Sequence, residues 1–555
     1  MPTTSHASTA GDGGAEWVFV GAGLPANNLA NVSRARRAPS VNAATCYAPR
    51  QIKPGAGSAS DTFSACSENT PMTSATGPRI LILALLVLAY ALAFQGSRGL
   101  FTTDEGRYSA VALNMLESGD FVTPKLSHDV AHFSKPPLTY WAIAASVAVF
   151  GGNEWAIRLP NALAFTLTVW LCFAIGKRLD REHAGWAALI YASMALPYLG
   201  AHWVSTDTLL SVFETLAALG LIAALLDGER PLRQALLLWV ALGLAFVTKG
   251  PPGLLGIAAL ALAALTCPPL RPRIGRLGAR WGWALWLAIA APWFVLLIVQ
   301  RPDLLDYFLH DEVAARVLSD KHGRSPGFYG LITVYLPTLL LGSLPWGVRL
   351  LGALRRPWPR LAALREDPGL WLPLLWFSVP LLVFLLAQSR MPLYLLPLWV
   401  PLALLIARTL PPGPPTFSRG GWLWLGLWLA ALIALRGFAA QAPMHTNDRA
   451  LAATMREQGV VAPELVFVED SPRFGLRLYL GANIERARIN QATSRYEQSL
   501  ADLLAEPPQC RTFIVKPRSE NDLQVAAARL GRPMHALGAG TARFHWYRAQ
   551  GDTCP

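Results

Sequence analysis

The sequence contains little charge and few cysteines for its length. Only 15% of its 555 residues are charged whereas 53% are hydrophobic, a balance that excludes an ordinary soluble globule and indicates a polytopic membrane protein. The six cysteines include no CxxC pair, which disfavours a metal-binding ribbon. Only Cys510 and Cys554 are candidates for a disulfide, and only if the C-terminal region lies outside the cytoplasm.

Residues 1–78 lack a sustained hydrophobic period and the charged-then-apolar pattern of a signal peptide. They are rich in Ala, Gly, Ser, Thr and Asn, which predicts a disordered N-terminal extension. Met72 lies just before Arg79 and the run ILILALLVLAYALAF. We therefore hypothesise that translation naturally starts at Met72, and N-terminal sequencing that finds Met1 retained on the native protein would contradict this.

Long apolar runs recur between residues 79 and 438, which are predicted to form one transmembrane domain. A crossing helix needs about 20 mostly apolar residues. The runs that meet this requirement, about eleven in number, are 79–97, 159–176, 184–200, 207–226, 234–248, 252–268, 282–300, 328–348, 369–387, 391–408 and 421–438. The run 140–151 is too short to cross alone and is predicted to be interfacial or re-entrant.

Arginine-rich loops between alternate runs predict the orientation, because short cytoplasmic loops carry an excess of basic residues. These loops are 176–181, 228–234, 271–280, 349–360 and 407–421. The loops 98–158 and 301–327, the turns near Asp207, Lys249 and Arg390, and the region from 439 onward then face outward. Membrane orientation thus explains the net charge of +13 better than nucleic-acid binding does.

Ionisable residues are scarce inside the apolar runs, and Glu214 is the main exception. An ion or proton pump usually needs a relay of charges through the bilayer. The sequence therefore disfavours a transporter, although a flippase for lipid-linked sugars stays the alternative interpretation.

Residues 439–555 change in composition toward a soluble domain. Strands are predicted at 465–470, 511–517 and 542–548, and helices at 447–459, 494–506 and 520–531. We predict a small extracytoplasmic α/β domain without a catalytic motif of its own. A non-catalytic scaffold whose C-terminal domain binds a partner is the third interpretation.

The stretch FTTDEGRYSA (101–110) places three charged residues just after the first apolar run. Thr102 and Thr103 are predicted to cap a helix with Asp104 and Glu105 in its first turn, where acids complement the helix dipole. An apolar stripe then predicts an amphipathic helix on the outer membrane face. On this stretch alone, a purely structural role for the two acids is the simpler interpretation.

Further polar residues fall on the same predicted side. They are Lys135 in HFSKPPLTYW, Asp207 in STDTLL, Lys249 in TKGPPG, Arg316 and His322 in the loop 306–330, and Arg390 in QSRMPLYLLP. Each alone is explained as a helix cap or a snorkelling side chain. Together they form one layer of acids and bases, which suits a reaction between a lipid-phosphate donor and an outward-facing acceptor.

The order of these motifs resembles a known family. DEGRY at 104–108, KPP at 135–137, STD at 205–207, KGP at 249–251 and LPW at 344–346 are similar to the polyprenyl-phosphate-sugar-dependent glycosyltransferases of the GT-C fold. That family includes the protein O-mannosyltransferases and the lipid A aminoarabinose transferases. The resemblance covers approximately residues 79–408.

The resemblance implies roles for the outward-facing residues. Asp104 becomes the carboxylate nearest the reacting centre, with Glu105 beside it. The residues implied to bind the donor phosphate or the substrate are Arg107, Tyr108, Lys135, Asp207, Lys249, Arg316, His322 and Arg390. In the aminoarabinose branch an acid precedes the KP lysine and helps to hold a divalent metal ion. Ser134 stands there in this chain, which leaves both the metal and a lipid A acceptor open.

The predicted function is an integral membrane glycosyltransferase of the bacterial inner membrane. It would transfer a sugar from an undecaprenyl-phosphate-type donor to lipid A, a glycan or a protein, with its active site and C-terminal domain on the periplasmic side. One carboxylate base without an enzyme nucleophile implies a single displacement with inversion.

Overall fold

The computed structural model describes residues 76–101, 104–127, 130–227, 230–308, 327–355, 360–442, 446–490 and 497–554. Most of the predicted N-terminal extension, including Met72, lies outside these residues. So do Thr102 and Thr103, the predicted helix caps, and Arg316 and His322, the two site candidates of the loop 306–330.

Helices form nearly all of the described chain up to residue 442. Their bounds are α1 Thr76–Leu92, α2 Asp104–Ser118, α3 Leu138–Phe150, α4 Glu154–Leu179, α5 Ala184–Ser193, α6 Ala195–Ala201, α7 Thr206–Leu226, α8 Pro231–Lys249, α9 Leu255–Thr266, α10 Ala279–Gln300, α11 Asp303–Asp306, α12 Gly327–Gly330, α13 Leu336–Gly342, α14 Gly347–Leu354, α15 Leu361–Glu366, α16 Pro368–Leu386, α17 Trp399–Ala407 and α18 Arg419–Gln441. A π-helical turn at Leu331–Tyr335 joins α12 to α13, and a 3₁₀ helix at Pro392–Leu398 leads into α17.

The apolar runs of the sequence correspond to helices of two lengths. Six helices of the described chain are long and apolar enough to cross a membrane, namely α4, α7, α8, α10, α16 and α18. A seventh crossing results if α5 and α6, bent by 58° relative to each other, form one broken span. The four other runs coincide with shorter apolar helices at Leu81–Leu92, Pro251–Thr266, Gly327–Gly342 and Pro392–Ala407. The fold is that of a polytopic membrane protein.

Small residues let the central helices approach each other closely. A Cβ added at Gly220 of α7 would lie 2.5 Å from the backbone nitrogen of Leu238 in α8, a separation that no side chain tolerates. Close backbone approach through small residues is the usual way in which membrane helices pack, since lipid offers no hydrophobic drive between them. The pair α7–α8 therefore forms a rigid base beneath the polar layer.

Two shorter helices, α2 and α3, pack against each other and against the start of α4. The structure confirms the predicted amphipathic helix as α2, whose apolar stripe of Tyr108, Val111, Ala112 and Met115 is buried against α3 and the start of α4. The run at 140–151 forms α3, which has only 13 residues. Because α2 is covered on several sides, it is more buried than an ordinary interfacial helix.

The C-terminal region forms a mixed six-stranded sheet. Its strands are β1 Glu464–Val468, β2 Asn483–Arg488, β3 Gln498–Ser499, β4 Arg511–Val515, β5 Met534–Ala536 and β6 His545–Ala549, in the order β3-β2-β1-β4-β6-β5. The strands β3, β2, β1 and β4 run parallel, and β6 pairs antiparallel with β4 and β5. The helices are α19 Asp448–Glu457, α20 Leu476–Leu480, α21 Leu500–Ala505 and α22 Glu520–Arg529.

Apolar residues cover both faces of this sheet, since one cluster around Phe467 and Trp546 and another around Val466 and Phe513 fill its two sides. The three strands predicted from the sequence are confirmed as β1, β4 and β6. Cys510 and Cys554, the two predicted candidates for a disulfide, are bonded to each other.

A docking contact joins this sheet region to the segment that precedes α2. Arg449 pairs with Glu154 at 2.8 Å and donates to the carbonyl oxygens of Ser97 (3.0 Å) and Gly96 (2.9 Å). The Tyr479 hydroxyl donates to Glu154 at 2.7 Å and accepts from the backbone nitrogen of Leu100 at 2.8 Å. The C-terminal region is thus bonded to the segment 96–101 rather than tethered loosely to it.

Candidate active site

The first turn of α2 is anchored by Glu105, whose side chain is completely buried. Both carboxylate oxygens accept from Arg98, at 2.8 and 3.0 Å, and both accept from Arg158, at 3.1 Å each. The backbone nitrogens of Phe101 (3.0 Å) and Val204 (3.2 Å) complete six hydrogen bonds. This carboxylate ties α2, α4 and the segment before α7 together.

The charge of Glu105 is stable in this setting. Burial raises the pKa of the carboxyl, but Arg158 and Arg98 outweigh burial and lower the pKa to about 2. A buried carboxylate with two guanidinium partners stays ionised at neutral pH and has no free lone pair to accept a proton from a substrate. Glu105 is therefore suited to holding the first turn of α2 in place.

The neighbouring Asp104 is placed differently. Its side chain is about one-fifth exposed (19%), and its described bond is with Arg107, 3.2 Å away on the next turn. A carboxylate at the first residue of a helix, partly open and paired with one surface cation, is able to accept a further hydrogen bond. Of the two adjacent acids, Asp104 is the one that a substrate hydroxyl can reach.

Tyr108 connects Asp104 to a second acid, Asp207. Burial raises the pKa of the Tyr108 hydroxyl well above its usual value, and the carboxylates of Asp104 and Asp207 act in the same direction. Its ring lies 5.7 Å from the ring of Tyr140 in α3. Asp104 and Asp207 therefore lie within electrostatic range of the same hydroxyl, although 103 residues separate them in the sequence.

Asp207 forms an ion pair with Lys249, the last residue of α8. Ser205 caps α7, because its hydroxyl accepts from the backbone nitrogen of Asp207 at 3.2 Å. The ammonium of Lys249 also lies 4.3 Å from the centre of the Tyr394 ring. The Lys249 ammonium thus lies between the Asp207 carboxylate, which is buried, and the Tyr394 ring, which is partly buried.

Lys135 lies on the other side of α2, beside His132. Its ammonium donates to the carbonyl oxygen of Ser134 at 2.9 Å, and the Ser134 hydroxyl bonds a ring nitrogen of His132 at 2.8 Å. Burial lowers the pKa of His132 well below its usual value, and the nearby cations Arg107 and Lys135 add to this effect. A neutral His132 therefore lies near both Arg107, the partner of Asp104, and Lys135.

Arg390 is buried at the start of the segment that leads into α17. It donates to the carbonyl oxygens of Gly327 (2.9 Å) and Leu385 (3.1 Å). Tyr335 lies within electrostatic range of Tyr394, Arg390 and Asp207, which links Arg390 to the Asp207–Lys249 pair.

A largely apolar cavity of about 530 Å³ opens beside Arg390. Its walls come from α6, from the helix Gly327–Gly342 and from residues 390–392. A largely apolar space beside a buried guanidinium suits a lipid with a charged head.

The residues do not favour a resident metal ion at the KP lysine. The hydroxyl of Ser134 bonds His132 where a metal site would need a carboxylate. In the part of the chain that the structure describes, no three His, Cys, Asp or Glu side chains come together as potential ligands. No step below is routed through a metal.

The structure brings eight of the ten predicted site residues into one connected region, and Arg316 and His322 lie outside the described residues. It also adds residues that sequence reasoning missed, namely Arg98, Arg158, His132, Tyr140 and Tyr394. Arg98 and Arg158 border the apolar runs and resemble ordinary flanking arginines. What distinguishes them from flanking arginines is that both contact Glu105, which lies 7 residues after Arg98 and 53 residues before Arg158.

Comparison with known proteins agrees with this arrangement. A family profile described as dolichyl-phosphate-mannose-protein mannosyltransferase matches residues 134–296. An undecaprenyl phosphate-alpha-4-amino-4-deoxy-L-arabinose arabinosyl transferase 2 of Pseudomonas fluorescens (strain Pf-5) is 34% identical over 59% of this chain and 56% of its own length. The protein of the same name from Pseudomonas fluorescens strain Pf0-1 is 34% identical over 66% of this chain and 67% of its own length.

The fold has a counterpart among solved structures. The crystal structure of ArnT from Cupriavidus metallidurans bound to undecaprenyl phosphate superposes with a TM-score of 0.68 at 20% identity, covering 85% of this chain and 98% of the other. The fold and the polar layer thus define a polytopic membrane protein of the GT-C class. The chain belongs to the polyprenyl-phosphate-sugar-dependent membrane glycosyltransferases.

Proposed function

We propose that this protein transfers a sugar from an undecaprenyl-phosphate-type donor to a hydroxyl of an acceptor on the outer side of the membrane. The observation that carries the proposal is the contrast between two adjacent acids. Glu105 is fully buried and bonded to two arginines, whereas Asp104, one residue earlier, is partly exposed and paired with Arg107. A rigidly held turn that presents one open carboxylate is suited to general-base catalysis.

The chemistry requires one proton acceptor and stabilisation of one leaving group. Asp104 accepts the proton of the acceptor hydroxyl as its oxygen attacks the anomeric carbon. The new C–O bond forms while the bond between that carbon and the phosphate oxygen breaks, and the polyprenyl phosphate leaves with the electron pair. Because no enzyme nucleophile takes part, the anomeric configuration inverts.

Negative charge grows on the departing phosphate, so cations near it lower the barrier. Lys135, Lys249 and Arg390 lie around the Asp104–Asp207 region and are proposed to contact the phosphate. Arg107 and Tyr108 are proposed to position the sugar beside Asp104, while Asp207 holds Lys249 in place. Arg316 and His322 remain predicted members of this site.

The polyprenyl tail is proposed to occupy the apolar cavity beside Arg390. This places the tail between membrane helices and the phosphate at their outer end. The relatives named above are described as undecaprenyl phosphate-aminoarabinose transferases. The donor carrier is therefore assigned to this chain by analogy, and the acceptor is proposed to be lipid A, a glycan or a protein.

All eleven apolar runs are proposed to cross the membrane, including those that form the four shorter helices, because flanking residues and tilt accommodate shorter spans. The polar layer and the C-terminal region then face the periplasm of a bacterial inner membrane. The disulfide Cys510–Cys554 supports this side, since structural disulfides persist in oxidising compartments. Residues 439–555 are proposed to form an extracytoplasmic domain that positions the segment before α2.

The test is transfer of a labelled sugar from polyprenyl phosphate in proteoliposomes. We expect Asp104→Asn to abolish transfer while the variant inserts and folds like the wild type. For Lys135→Ala we expect a raised apparent KM for the donor. Full activity of Asp104→Asn would refute the assignment of the base.

Transport assays separate the proposal from the flippase alternative. A flippase would move the labelled donor across the bilayer without forming a transfer product, and Asp104→Asn would leave this movement intact. Arg419→Ala, at the exposed far end of α18, is a matched control that should change neither activity.

A further inference from the structure

An arginine of α18 is buried without a hydrogen-bond partner. Arg436 has only 7% of its surface exposed, yet its Nε and Nη2 atoms have no acceptor among the described residues. A snorkelling arginine would extend its guanidinium to water. Arg436 instead lies five residues before the end of its helix at Gln441, and leaving a buried guanidinium unmatched is costly.

Neighbouring charges add to the cost of burying the Arg436 guanidinium. Arg436 lies within electrostatic range of Arg98, Arg158 and Glu105. Three guanidinium groups thus share one carboxylate, and Glu105 is already saturated by the other two arginines. His202 offers no acceptor either, because its two ring nitrogens face the carbonyl oxygens of Tyr198 (2.8 Å) and Ala93 (3.0 Å).

Two tyrosine hydroxyls beside Arg436 also have no partner in the described part of the chain. They belong to Tyr90 of α1 and Tyr198 of α6, whose rings stack at 4.2 Å. Tyr198 packs with Leu432, one turn before Arg436 on the same face of α18. Tyr90 and Tyr198 lie near the ends of their helices at Leu92 and Ala201, as Arg436 does, so the three polar groups share one layer.

We propose that Arg436, Tyr90 and Tyr198 form a binding site for the phosphate headgroup of an anionic phospholipid, between α1, α6 and α18. A guanidinium binds phosphate oxygens through two parallel hydrogen bonds, and tyrosine hydroxyls donate to the remaining ones. The phosphate supplies the negative charge that the cluster lacks. The exposed rings of Phe94 (48%) and Phe438 (72%) border the same place and offer a surface for the acyl chains.

This lipid site is distinct from the proposed donor site. The donor site is built on Asp104, Lys135, Lys249 and Arg390, none of which belongs to the cluster of Arg436, Tyr90 and Tyr198. The lipid assignment therefore stands or falls independently of the proposed transfer reaction.

The experiment is native mass spectrometry and thermal unfolding of the full chain in nanodiscs. We expect the wild type to retain phosphatidylglycerol, and its Tm to rise by about 2–4 °C when phosphatidylglycerol replaces part of the phosphatidylcholine. In Arg436→Ala the affinity for phosphatidylglycerol should fall about tenfold to a hundredfold, because a charge-assisted contact is lost. Arg419→Ala, on the same helix, should behave as the wild type.

Three outcomes overturn the proposal. They are an undiminished phosphatidylglycerol effect in Arg436→Ala, absence of retained lipid in the wild type, and an equal rise in Tm from inorganic phosphate alone in phosphatidylcholine nanodiscs. If Arg436→Ala does not fold, Tyr198→Phe is used instead and should weaken lipid retention without unfolding the protein. Unchanged retention in Tyr198→Phe would likewise count against the site.

Discussion

Replacing each of the adjacent acids of α2 by its amide should produce opposite results. Glu105→Gln keeps the shape of the side chain but removes the charge that four guanidinium bonds of 2.8–3.1 Å converge on. Breaking one partner of a buried ion pair costs about 3–5 kcal/mol. Asp104→Asn alters a partly exposed pair with Arg107 at 3.2 Å, which contributes at most about 1 kcal/mol.

The Glu105→Gln variant should therefore lose stability, whereas the Asp104→Asn variant should lose activity. We expect Glu105→Gln to lower the Tm by several degrees in a scan of the purified protein, whereas Asp104→Asn should unfold close to the wild type. Transfer by Asp104→Asn should fall about a hundredfold to ten-thousandfold, the usual contribution of a general base. The two measurements use the same preparations in the same lipid.

The pH dependence of stability follows from the lowered pKa of Glu105, about 2 in the folded protein. A carboxyl with a depressed folded pKa contributes fully above its unfolded value of about 4.3, and this contribution is lost as the pH falls toward the folded value. The stability difference between wild type and Glu105→Gln should thus stay constant above about pH 5 and shrink in acid. A Tm of Glu105→Gln equal to that of the wild type at neutral pH would refute the reasoning.

Three further variants test other contacts. Lys249→Gln should raise the donor KM about tenfold, because one charge-assisted contact to phosphate is lost, and an unchanged KM would contradict the phosphate role. Tyr479→Phe removes both hydrogen bonds of its hydroxyl across the docking contact and should lower the turnover number more than it changes donor KM; normal turnover in a less stable variant would leave the contact purely structural. Replacing Cys510 and Cys554 by serine should destabilise the C-terminal region by about 4 kcal/mol on the loop-entropy estimate for a separation of 44 residues, and unfolding unchanged from the wild type would contradict this.

The membrane helices were predictable because their signal is local. A run of about 20 apolar residues has few alternatives to a membrane helix, and every such run of the sequence overlaps a helix of the structure. The bend between α5 and α6 was not predictable, since the run 184–200 contains no charge that interrupts it. Its two parts are separated only by the extended conformation of Met194.

The strand β2 was missed because its sequence, NIERAR, carries charges that suggest an exposed loop. The structure buries Glu485 within the sheet and pairs Arg488 with Glu469 at 2.7 Å and Arg486 with Glu497 at 2.8 Å. These partners lie on other segments, so the compensation for burying the charges is tertiary. Sequence periodicity alone does not reveal it.

In the candidate site, too, some features were predictable from the sequence and others were not. The order of Asp104, Lys135, Asp207 and Lys249 along the chain predicts a shared layer; in the described chain Asp207 pairs with Lys249, and Tyr108 lies within electrostatic range of both Asp104 and Asp207. The sequence did not reveal that Asp104 is partly exposed whereas Glu105 is buried and paired with two arginines. That difference depends on Arg158, which lies 53 residues after Glu105 and reaches it only in the folded protein.

The docking contact has a consequence for the order of events during synthesis. The partners of residues 96–100 come from Arg449 and Tyr479, more than 350 residues later in the chain. A nascent protein whose helices are already inserted, but whose last hundred or so residues have not yet been synthesised and folded, lacks these partners. Under the proposed function, incomplete chains would bind donor lipid while the segment before Asp104 lacks its contacts with Arg449 and Tyr479. Sugar transfer would then begin only after the C-terminal region has folded.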